Sequence, residues 1–228
     1  MEIKEIVNNN KKLIISHMKM TCDERGDIPK PLPSYNSAIL IYGQPRSGKT
    51  NLWLNLITKR SQFYNKKFDR VLLFSPSLHT VERKIQLPEE QVFNNLDYTE
   101  LQNELDFLKE MVKEDPKFKT LIIFDDVMSS IKNDIPEFLK MLGNRRHYGL
   151  TIMIITQVYN RIPLQLRKIF SHFIFFKQPK QEIQSIYDDL MTIKKDDYYK
   201  IIDYIYDKPH QFMYYDKDAG TFYKNFNK

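Results

Sequence analysis

Five short apolar runs recur along the chain, and longer polar or amphipathic stretches separate them. Within each run almost every position is apolar, with many β-branched and aromatic residues, and apolar and polar positions do not alternate. This pattern is typical of strands in a parallel sheet that helices cover on both faces. We therefore expect an α/β fold, a three-layer sandwich built on a mainly parallel sheet of five strands. The predicted strands are Ala38–Tyr42, Val71–Phe74, Thr120–Phe124, Thr151–Ile155 and His172–Phe176.

The stretches between and after these runs have helical periodicity. From Thr99 to Val112, four apolar residues lie on one face of a helix that Thr99 is expected to cap. Residues Ile135–Leu142 form a further predicted helix, which Gly143 would end in the left-handed conformation. Beyond the last strand, Ile183–Tyr206 is predicted to be helical, so we expect a helical extension after the sheet.

The two ends of the chain depart from this alternation of strands and helices. Residues 1–36 are polar and interrupted by glycine and proline, with one short strand candidate at Leu13–Ser16, and we expect a lead-in to the core. At the other end, Gln211–Tyr215 and Thr221–Tyr223 have the pattern of a hairpin. The expected organisation is a lead-in over residues 1–36 and one α/β domain over residues 37–228, whose C-terminal extension begins at about residue 178.

Composition and charge exclude some classes of protein and favour others. No apolar stretch is long enough to cross a bilayer, and the N-terminal residues lack the apolar centre of a signal peptide. The one cysteine, Cys22, cannot form an intrachain disulfide. These features predict a non-secreted protein of a reducing, intracellular compartment without a membrane partner. The formal net charge of +6 weakly favours a polyanionic partner.

The first predicted strand runs into a phosphate-binding loop. Residues Gly43–Thr50 have the sequence GQPRSGKT, which matches the pattern G-x-x-x-x-G-K-[ST], and a predicted helix follows and ends near Arg60. At such a turn the backbone N–H groups and the positive end of the helix dipole converge on an anion. Lys49 is expected to contact the β- and γ-phosphates of ATP, and the Thr50 hydroxyl to bind Mg²⁺. The residues expected to bind the nucleotide are Gly43, Gln44, Pro45, Arg46, Ser47, Gly48, Lys49, Thr50 and Asn51.

The third strand ends in two aspartates, which would supply the carboxylate that such a loop needs opposite it. Asp125 is expected to bind Mg²⁺, and Asp126 to polarise the attacking water. The alternative is that the pair only caps the next helix. Gln157 ends the fourth strand, where its amide is expected to contact the lytic water or the γ-phosphate. The competing interpretation of Gln157 is an ordinary polar residue where a strand meets solvent.

Two arginines precede the fourth strand. A guanidinium that reaches the γ-phosphate of a neighbouring subunit stabilises the transition state and links hydrolysis to assembly. Arg145 and Arg146 are candidates for this catalytic role. An equally good interpretation is a solvated basic helix end, which the helix dipole favours.

The stretch Arg146–Gln157 resembles the FtsK–HerA superfamily, in which Arg-x-x-Gly precedes an apolar strand that ends in Thr-Gln. The compact length, the aspartate pair and the two arginines are most similar to the poxvirus-type genome-packaging ATPases of large DNA viruses and virophages. The resemblance covers about residues 37–177 and implies an additional-strand ATPase sheet with the five strands in the order 5-1-4-3-2. One position departs from the pattern, because many relatives have Glu where Asp126 stands.

The resemblance implies a ring, expected to be a hexamer, that grips double-stranded DNA and drives it into a preformed capsid at the expense of ATP. Capsid or portal vertex proteins would be further partners, and a viral protein of this kind would work in the virus factory of the host cell. Other functions remain open: a cellular DNA pump of the same superfamily, a small-molecule kinase, or a module whose ATP site serves only assembly. The candidate DNA contacts are Lys132, Arg161, Arg167 and Lys168.

Overall fold

The computed structural model describes residues 28–58, 63–76 and 87–227, which form one sheet with helices on both faces. The strands are β1 (Ala38–Tyr42), β2 (Arg70–Phe74), β3 (Val92–Phe93), β4 (Thr120–Asp125), β5 (Leu150–Thr156), β6 (His172–Phe176), β7 (Phe212–Asp216) and β8 (Thr221–Lys224). The helices are α1 (Lys49–Thr58), α2 (Tyr98–Glu114), α3 (Met128–Ile131), α4 (Ile135–Asn144), α5 (Leu164–Ile169), α6 (Lys180–Leu190) and α7 (Lys195–Ile205). Short 3₁₀ turns lie at Glu89–Gln91, Lys132–Asp134 and Tyr159–Arg161.

The order of the strands across the sheet is β3-β2-β4-β5-β1-β6-β7-β8. The pairs from β3 to β6 are parallel, and the hairpin β7–β8 continues the sheet from β6 in antiparallel fashion. The five strands expected from the sequence are β1, β2, β4, β5 and β6, and they follow one another in the expected order. The full order differs from the five-stranded expectation because β3 extends one edge of the sheet and the hairpin extends the other.

Burial on both faces explains why the strands are almost continuously apolar. Every residue of β1, β4, β5 and β6 is buried. In β1, Leu40 and Tyr42 pack with α2 and α4 to α7, whereas Ile39 and Ile41 pack with α1 on the other face. Trp53 of α1 is completely buried against that second face, so the helix that follows the phosphate-binding loop is firmly held.

The cap of α2 differs from the prediction. Asp97, not Thr99, is the N-cap: its carboxylate accepts hydrogen bonds from the backbone N–H groups of Thr99 at 2.7 Å and Glu100 at 3.0 Å. A carboxylate at this position satisfies two free N–H groups and also interacts favourably with the helix dipole. Thr99 therefore lies inside the helix.

The end of α4 also differs from the prediction, because Gly143 lies inside the helix, which continues to Asn144. The glycine with left-handed backbone is Gly149, at φ 61°, directly before β5. A Cβ atom there would lie 2.5 Å from the carbonyl oxygen of Phe118, so the close approach of the β4 lead-in requires glycine.

The predicted helix over residues 183–206 is two helices, α6 and α7, separated by residues 191–194. The Tyr187 hydroxyl donates a hydrogen bond to the carbonyl oxygen of Ile193 at 3.0 Å, which holds the connection in place. Asp196 and Asp197 lie in the first turn of α7, where acidic side chains favour a helix start. The predicted hairpin is confirmed as β7 and β8.

Residues 28–36, the described part of the predicted lead-in, pack against the core. The Tyr64 hydroxyl donates to the carbonyl oxygen of Pro33 at 2.9 Å, and the Tyr35 hydroxyl donates to that of Lys67 at 3.0 Å. The strand candidate over residues 13–16 and the predicted helix end near Arg60 lie outside the described residues. Within the described ranges, no helix combines the length and the apolar character needed to span a membrane.

Candidate nucleotide-binding site

The phosphate-binding loop connects β1 to α1 at the carboxyl edge of the sheet, and Lys49 folds back over it. The Lys49 Nζ atom donates hydrogen bonds to the carbonyl oxygens of Gly43 at 2.6 Å and Gln44 at 2.9 Å. Burial lowers the pKa of Lys49, while the nearby carboxylates of Asp125 and Asp126 act in the opposite direction. Lys49 is thus a buried cation held by carbonyl dipoles, and an anionic ligand would stabilise its charged form further.

The two glycines of the loop are required by its conformation. Gly48 has a φ of 108°, which residues with a side chain rarely adopt. A Cβ atom on Gly43 would lie 2.6 Å from Ser47 Oγ and 2.8 Å from Phe176 Cβ. Together the glycines let the chain turn sharply from strand to helix with the Phe176 side chain packed directly behind the loop. Arg46 also has a positive φ, 64°, and its side chain is exposed.

Asp125 is the last residue of β4, and it is buried. Burial raises the pKa of Asp125 to about 6; a hydrogen bond from Ser75 opposes this, Asp126 adds to it, and Lys49 opposes it. The hydrogen bond joins Ser75 Oγ to Asp125 Oδ2 at 3.3 Å. Lys49 and Asp125 therefore influence each other's charge, although Lys49 begins α1 after β1, and β5 separates β1 from the strand that Asp125 ends.

The oxygen donors of Thr50 and Asp125 are of the chemical type that a magnesium ion prefers. Mg²⁺ prefers hard oxygen ligands and is commonly held by one or two carboxylates together with waters and substrate phosphates. The raised pKa of Asp125 shows a buried carboxylate whose charge is poorly compensated, and a cation would remove that cost. The Thr50 hydroxyl lies in the first turn of α1, where its side chain is exposed.

Asp126 and Gln157 are in direct contact. The Gln157 Nε2 atom donates a hydrogen bond to Asp126 Oδ2 at 3.2 Å. Asp126 has a left-handed backbone, φ 58°, which Asp tolerates better than most residues, and its N–H donates to the carbonyl oxygen of Ile155 at 3.2 Å. The N-cap of α3 is Val127 and no side chain caps that helix, which excludes helix capping as the role of the aspartates. An exposed carboxylate oriented by an amide can position and deprotonate a water molecule.

Arg145 and Arg146 lie at the opposite, amino edge of the sheet. Since β5 is parallel to β1 and has seven residues, about 20 Å separates these arginines from the phosphate-binding loop of the same chain. Arg145 donates from Nε to the carbonyl oxygen of Asn36 at 2.8 Å and from Nη1 to that of Leu142 at 2.9 Å. Arg146 is exposed. Arg145 is therefore engaged within its own chain, whereas Arg146 extends into solvent.

One of the candidate DNA contacts is also engaged within the chain. Arg167 forms an ion pair with Asp189, donates from Nε to the carbonyl oxygen of Ile162 at 2.7 Å, and places its guanidinium 4.7 Å from the centre of the Tyr159 ring. These contacts tie α5 to α6, so Arg167 is a structural residue. The remaining candidates, Lys132, Arg161 and Lys168, are exposed.

Two residues near the site were missed by sequence reasoning. Ser75 directly follows a predicted strand, and a polar residue at the carboxyl end of a parallel strand is a signal that could have identified it. His210 places Nδ1 at 3.1 Å from the carbonyl oxygen of Ser47 in the phosphate-binding loop. It lies in the connection between α7 and β7, and no motif marks it.

A model of the poxvirus A32 protein family matches residues 31–214, which is more than half of the chain. The chain belongs to this family. The matched range contains the phosphate-binding loop, the two aspartates, Gln157 and His210. No curated protein sequence matches the chain significantly.

Solved structures share the fold at low sequence identity. The genome packaging NTPase B204 from Sulfolobus turreted icosahedral virus 2, in complex with AMPPCP, has a TM-score of 0.59 and 17% identity over 83% of this chain and 96% of that chain. The DNA-packaging ATPase B204 from Sulfolobus Turreted Icosahedral Virus has a TM-score of 0.57 and 16% identity over 83% and 96% of the two chains. The cytoplasmic domain of the Type VII secretion ATPase EccC from Thermomonospora curvata has a TM-score of 0.50 and 14% identity, and it matches over 82% of this chain and 23% of that chain.

Family and fold together confirm the resemblance to poxvirus-type packaging ATPases and the α/β P-loop class that the sequence predicts. The expected enzyme class, a P-loop ATPase, agrees with both. The sequence identities are too low to transfer individual residue roles, which rest on the geometry described above.

Proposed function

We propose that this protein is an ATP-driven motor that packages a viral genome by moving double-stranded DNA into a preformed capsid. Membership of the poxvirus A32 family supports a role in genome packaging, as does the fold shared with a protein described as a genome packaging NTPase. The observation that carries the proposal is the electrostatic coupling of Lys49 and Asp125 across β5. A cation and a buried carboxylate in this relation suit a triphosphate and its magnesium ion.

The residues have separate roles in the proposed hydrolysis. Lys49 and the loop amides hold the β- and γ-phosphates, while Thr50 and Asp125 hold Mg²⁺, which would neutralise phosphate charge when bound. Asp126 accepts a proton from the attacking water as a bond forms from the water oxygen to the γ-phosphorus and the bond to the ADP oxygen breaks. Gln157 orients the Asp126 carboxylate for that step, which follows from their contact at 3.2 Å.

The motor is proposed to be a ring, with a hexamer as the expected size. Arg146 lies at the edge opposite the phosphate-binding loop of its own chain, so it can serve only the nucleotide of a neighbouring subunit. An arginine supplied by a neighbour makes hydrolysis depend on assembly. The proposed partners are double-stranded DNA, which basic side chains would grip through its phosphates, and capsid or portal proteins at the packaging vertex.

Two measurements test the motor. ATP hydrolysis in the presence of Mg²⁺ should rise several-fold on addition of linear double-stranded DNA, and Lys49→Ala should remove both the basal and the stimulated rates. Movement along DNA should appear as ATP-dependent displacement of a third strand from a triplex, which Lys49→Ala cannot perform. A hydrolysis rate that does not change when DNA is added would contradict the proposal. Transfer of phosphate to a nucleoside in the absence of DNA would also contradict it and would favour a small-molecule kinase.

A further inference from the structure

A cavity of about 340 Å³ lies beside the first two turns of α1. Cavities that bind small molecules have volumes of about 300–1,000 Å³, largely apolar walls and a few polar groups. This cavity has that composition, and it contains no charged side chain in its lining. Its side chains are those of Leu52, Phe176, Phe212, Asn51, Asn55 and His210. Such a lining suits a flat, neutral ligand that makes hydrogen bonds, and it does not suit a phosphate.

A second cavity, of about 410 Å³, lies against the phosphate-binding loop and is also lined by His210. Its lining contains three cationic side chains, those of Arg46, Lys177 and Lys208, and no acidic one. His210 and Phe176 line both cavities. The region beside the loop is therefore divided into a cationic compartment and an uncharged one.

In a nucleotide the nucleoside is attached to the α-phosphate, and this connection indicates that the nucleoside binds in the uncharged compartment. The backbone amides of a phosphate-binding loop surround the α- and β-phosphates, and the lysine contacts the β- and γ-phosphates. The nucleoside therefore continues from the α-phosphate along the start of the helix that follows the loop. Gly48 and Asn51, at that start, line the 340 Å³ cavity. A nucleoside attached to a triphosphate in the loop reaches the cavity directly.

His210 lines this cavity, and its imidazole ring has a nitrogen that can accept a hydrogen bond. Its Nδ1 atom lies 3.1 Å from the carbonyl oxygen of Ser47, and because a carbonyl oxygen only accepts, Nδ1 carries the proton. In the neutral ring, Nε2 is then an acceptor, and within the described part of the chain no hydrogen bond engages it. Adenine has an amino group at position 6, which donates, whereas guanine has an oxygen there, which accepts. An acceptor on the protein therefore distinguishes the two bases.

We propose that the cavity beside α1 binds the nucleoside of the nucleotide, and that His210 selects adenine over guanine by accepting a hydrogen bond from the 6-amino group. Phe176 and Phe212 form the apolar wall against which the base packs; their ring centres are 5.6 Å apart. This proposal rests on the proposed function, because it requires that the phosphate-binding loop holds a triphosphate.

Titration calorimetry of the full chain with ATP, GTP and inorganic tripolyphosphate tests the proposal. The wild-type protein should bind ATP more tightly than either of the other two ligands. His210→Ala should lower the affinity for ATP by about tenfold, the loss expected for one good contact. The same variant should change the affinity for tripolyphosphate by less than about twofold. The preference for ATP over GTP should narrow in the same variant. Lys208→Ala, whose side chain lines only the cationic cavity, is the control and should keep that preference.

A second variant changes another residue in the lining of the cavity, Asn55. Asn55→Trp should fill the cavity and lower the affinity for ATP, while the affinity for tripolyphosphate should not change. If His210→Ala lowers the affinities for ATP and tripolyphosphate equally, His210 only supports the loop through Ser47, and the proposal is wrong. An unchanged affinity of this variant for ATP would also overturn the proposal. If the wild-type protein prefers ATP over GTP but DNA does not stimulate its ATP hydrolysis, only the proposed motor function is wrong. If DNA stimulates hydrolysis but the protein binds ATP and GTP equally well, only the proposed nucleoside site is wrong.

Discussion

The carboxyl and amino edges of the sheet hold their charged side chains in different ways. At the carboxyl edge, burial raises the pKa of Asp125 to about 6 and lowers that of Lys49, so both charges are poorly compensated within the chain. At the amino edge, Arg145 donates to two backbone carbonyl groups, and Thr151 Oγ1 accepts from the N–H of Asn36 at 3.0 Å. Burial also lowers the pKa of Arg145 and of His172 at the amino edge, so a shifted pKa alone does not separate the two edges. They differ because the carboxyl edge brings a buried cation, Lys49, together with a buried carboxylate, Asp125, an arrangement typical of sites that bind charged ligands. This difference supports the carboxyl edge as the proposed nucleotide site.

Arg146 is the exception at the amino edge, and the pair of adjacent arginines provides the sharpest test of the comparison. Arg146→Ala should lower DNA-stimulated turnover by about 10³-fold, the loss expected for a guanidinium that stabilises the transition state, with no change in thermal stability. Arg145→Ala, in contrast, should lower thermal stability. It removes two hydrogen bonds from a charged, half-buried donor, which costs about 2–4 kcal/mol and lowers Tm by several degrees. Hydrolysis rates and thermal unfolding of both variants measure the two effects.

Mixing experiments decide whether Arg146 acts on a neighbour. Subunits with Lys49→Ala keep Arg146 and lose their own site, whereas subunits with Arg146→Ala keep an intact site. In mixed rings some interfaces join the two intact halves, so the mixture should recover part of the wild-type turnover. A mixture that is no more active than the two variants measured separately would contradict action in trans.

The contact between Gln157 and Asp126 gives the next prediction. Asp126→Asn should reduce kcat by about 10²-fold, within the range for loss of a general base, and Gln157→Ala by about tenfold. If Gln157 acts through Asp126, the double variant should be no slower than Asp126→Asn alone. Steady-state rates at saturating Mg²⁺ and ATP measure these losses. Independent, multiplicative effects would show that Gln157 contacts the nucleotide or the water directly.

A last prediction concerns stability without any ligand, and it follows from the pKa of Asp125. The carboxyl group has its ordinary pKa of 3.8 when the chain is unfolded and a pKa of about 6 when it is folded. The stability contributed by the protonated form is therefore complete below pH 3.8 and is lost as the pH rises to about 6. Asp125→Asn remains neutral at every pH. Without nucleotide it should match the wild-type protein near pH 3.8 and exceed its stability by about 3 kcal/mol above pH 6.

Thermal unfolding from about pH 4 to pH 8, in the absence of Mg²⁺ and nucleotide, measures this difference. Mg²⁺ with nucleotide should stabilise the wild-type protein more than Asp125→Asn, which keeps the phosphate-binding loop but lacks the carboxylate. A constant difference between the two proteins across the pH range would contradict a raised pKa at Asp125.

The parts of the molecule that could be predicted are those encoded in contiguous residues. The phosphate-binding loop follows β1 directly, and each core strand is a single apolar run, so these elements and the positions of Lys49 and Asp125 at the ends of their segments were accessible from the sequence. The hairpin β7–β8 was accessible for the same reason.

The parts that could not be predicted depend on packing between distant residues. Ser75 meets Asp125 across 50 positions, and His210 meets Ser47 across 163, and neither pairing has a local pattern. The glycine prediction failed because only a tertiary contact, the approach of Phe118, determines that Gly149 and not Gly143 takes the left-handed conformation. The different environments of Arg145 and Arg146, which are identical in residue type, follow likewise from the position of Asn36.

Strand β5 has a consequence for timing in the proposed ring. It is buried along its whole length and paired on both sides, to β1 and β4, so it moves as a stiff rod. Gln157 stands at one end of this rod against Asp126, and the turn that carries Arg146 stands at the other. In the proposed ring, a displacement of Gln157 on phosphate release would therefore also shift the turn that carries Arg146, and successive subunits would need no separate element to link their sites.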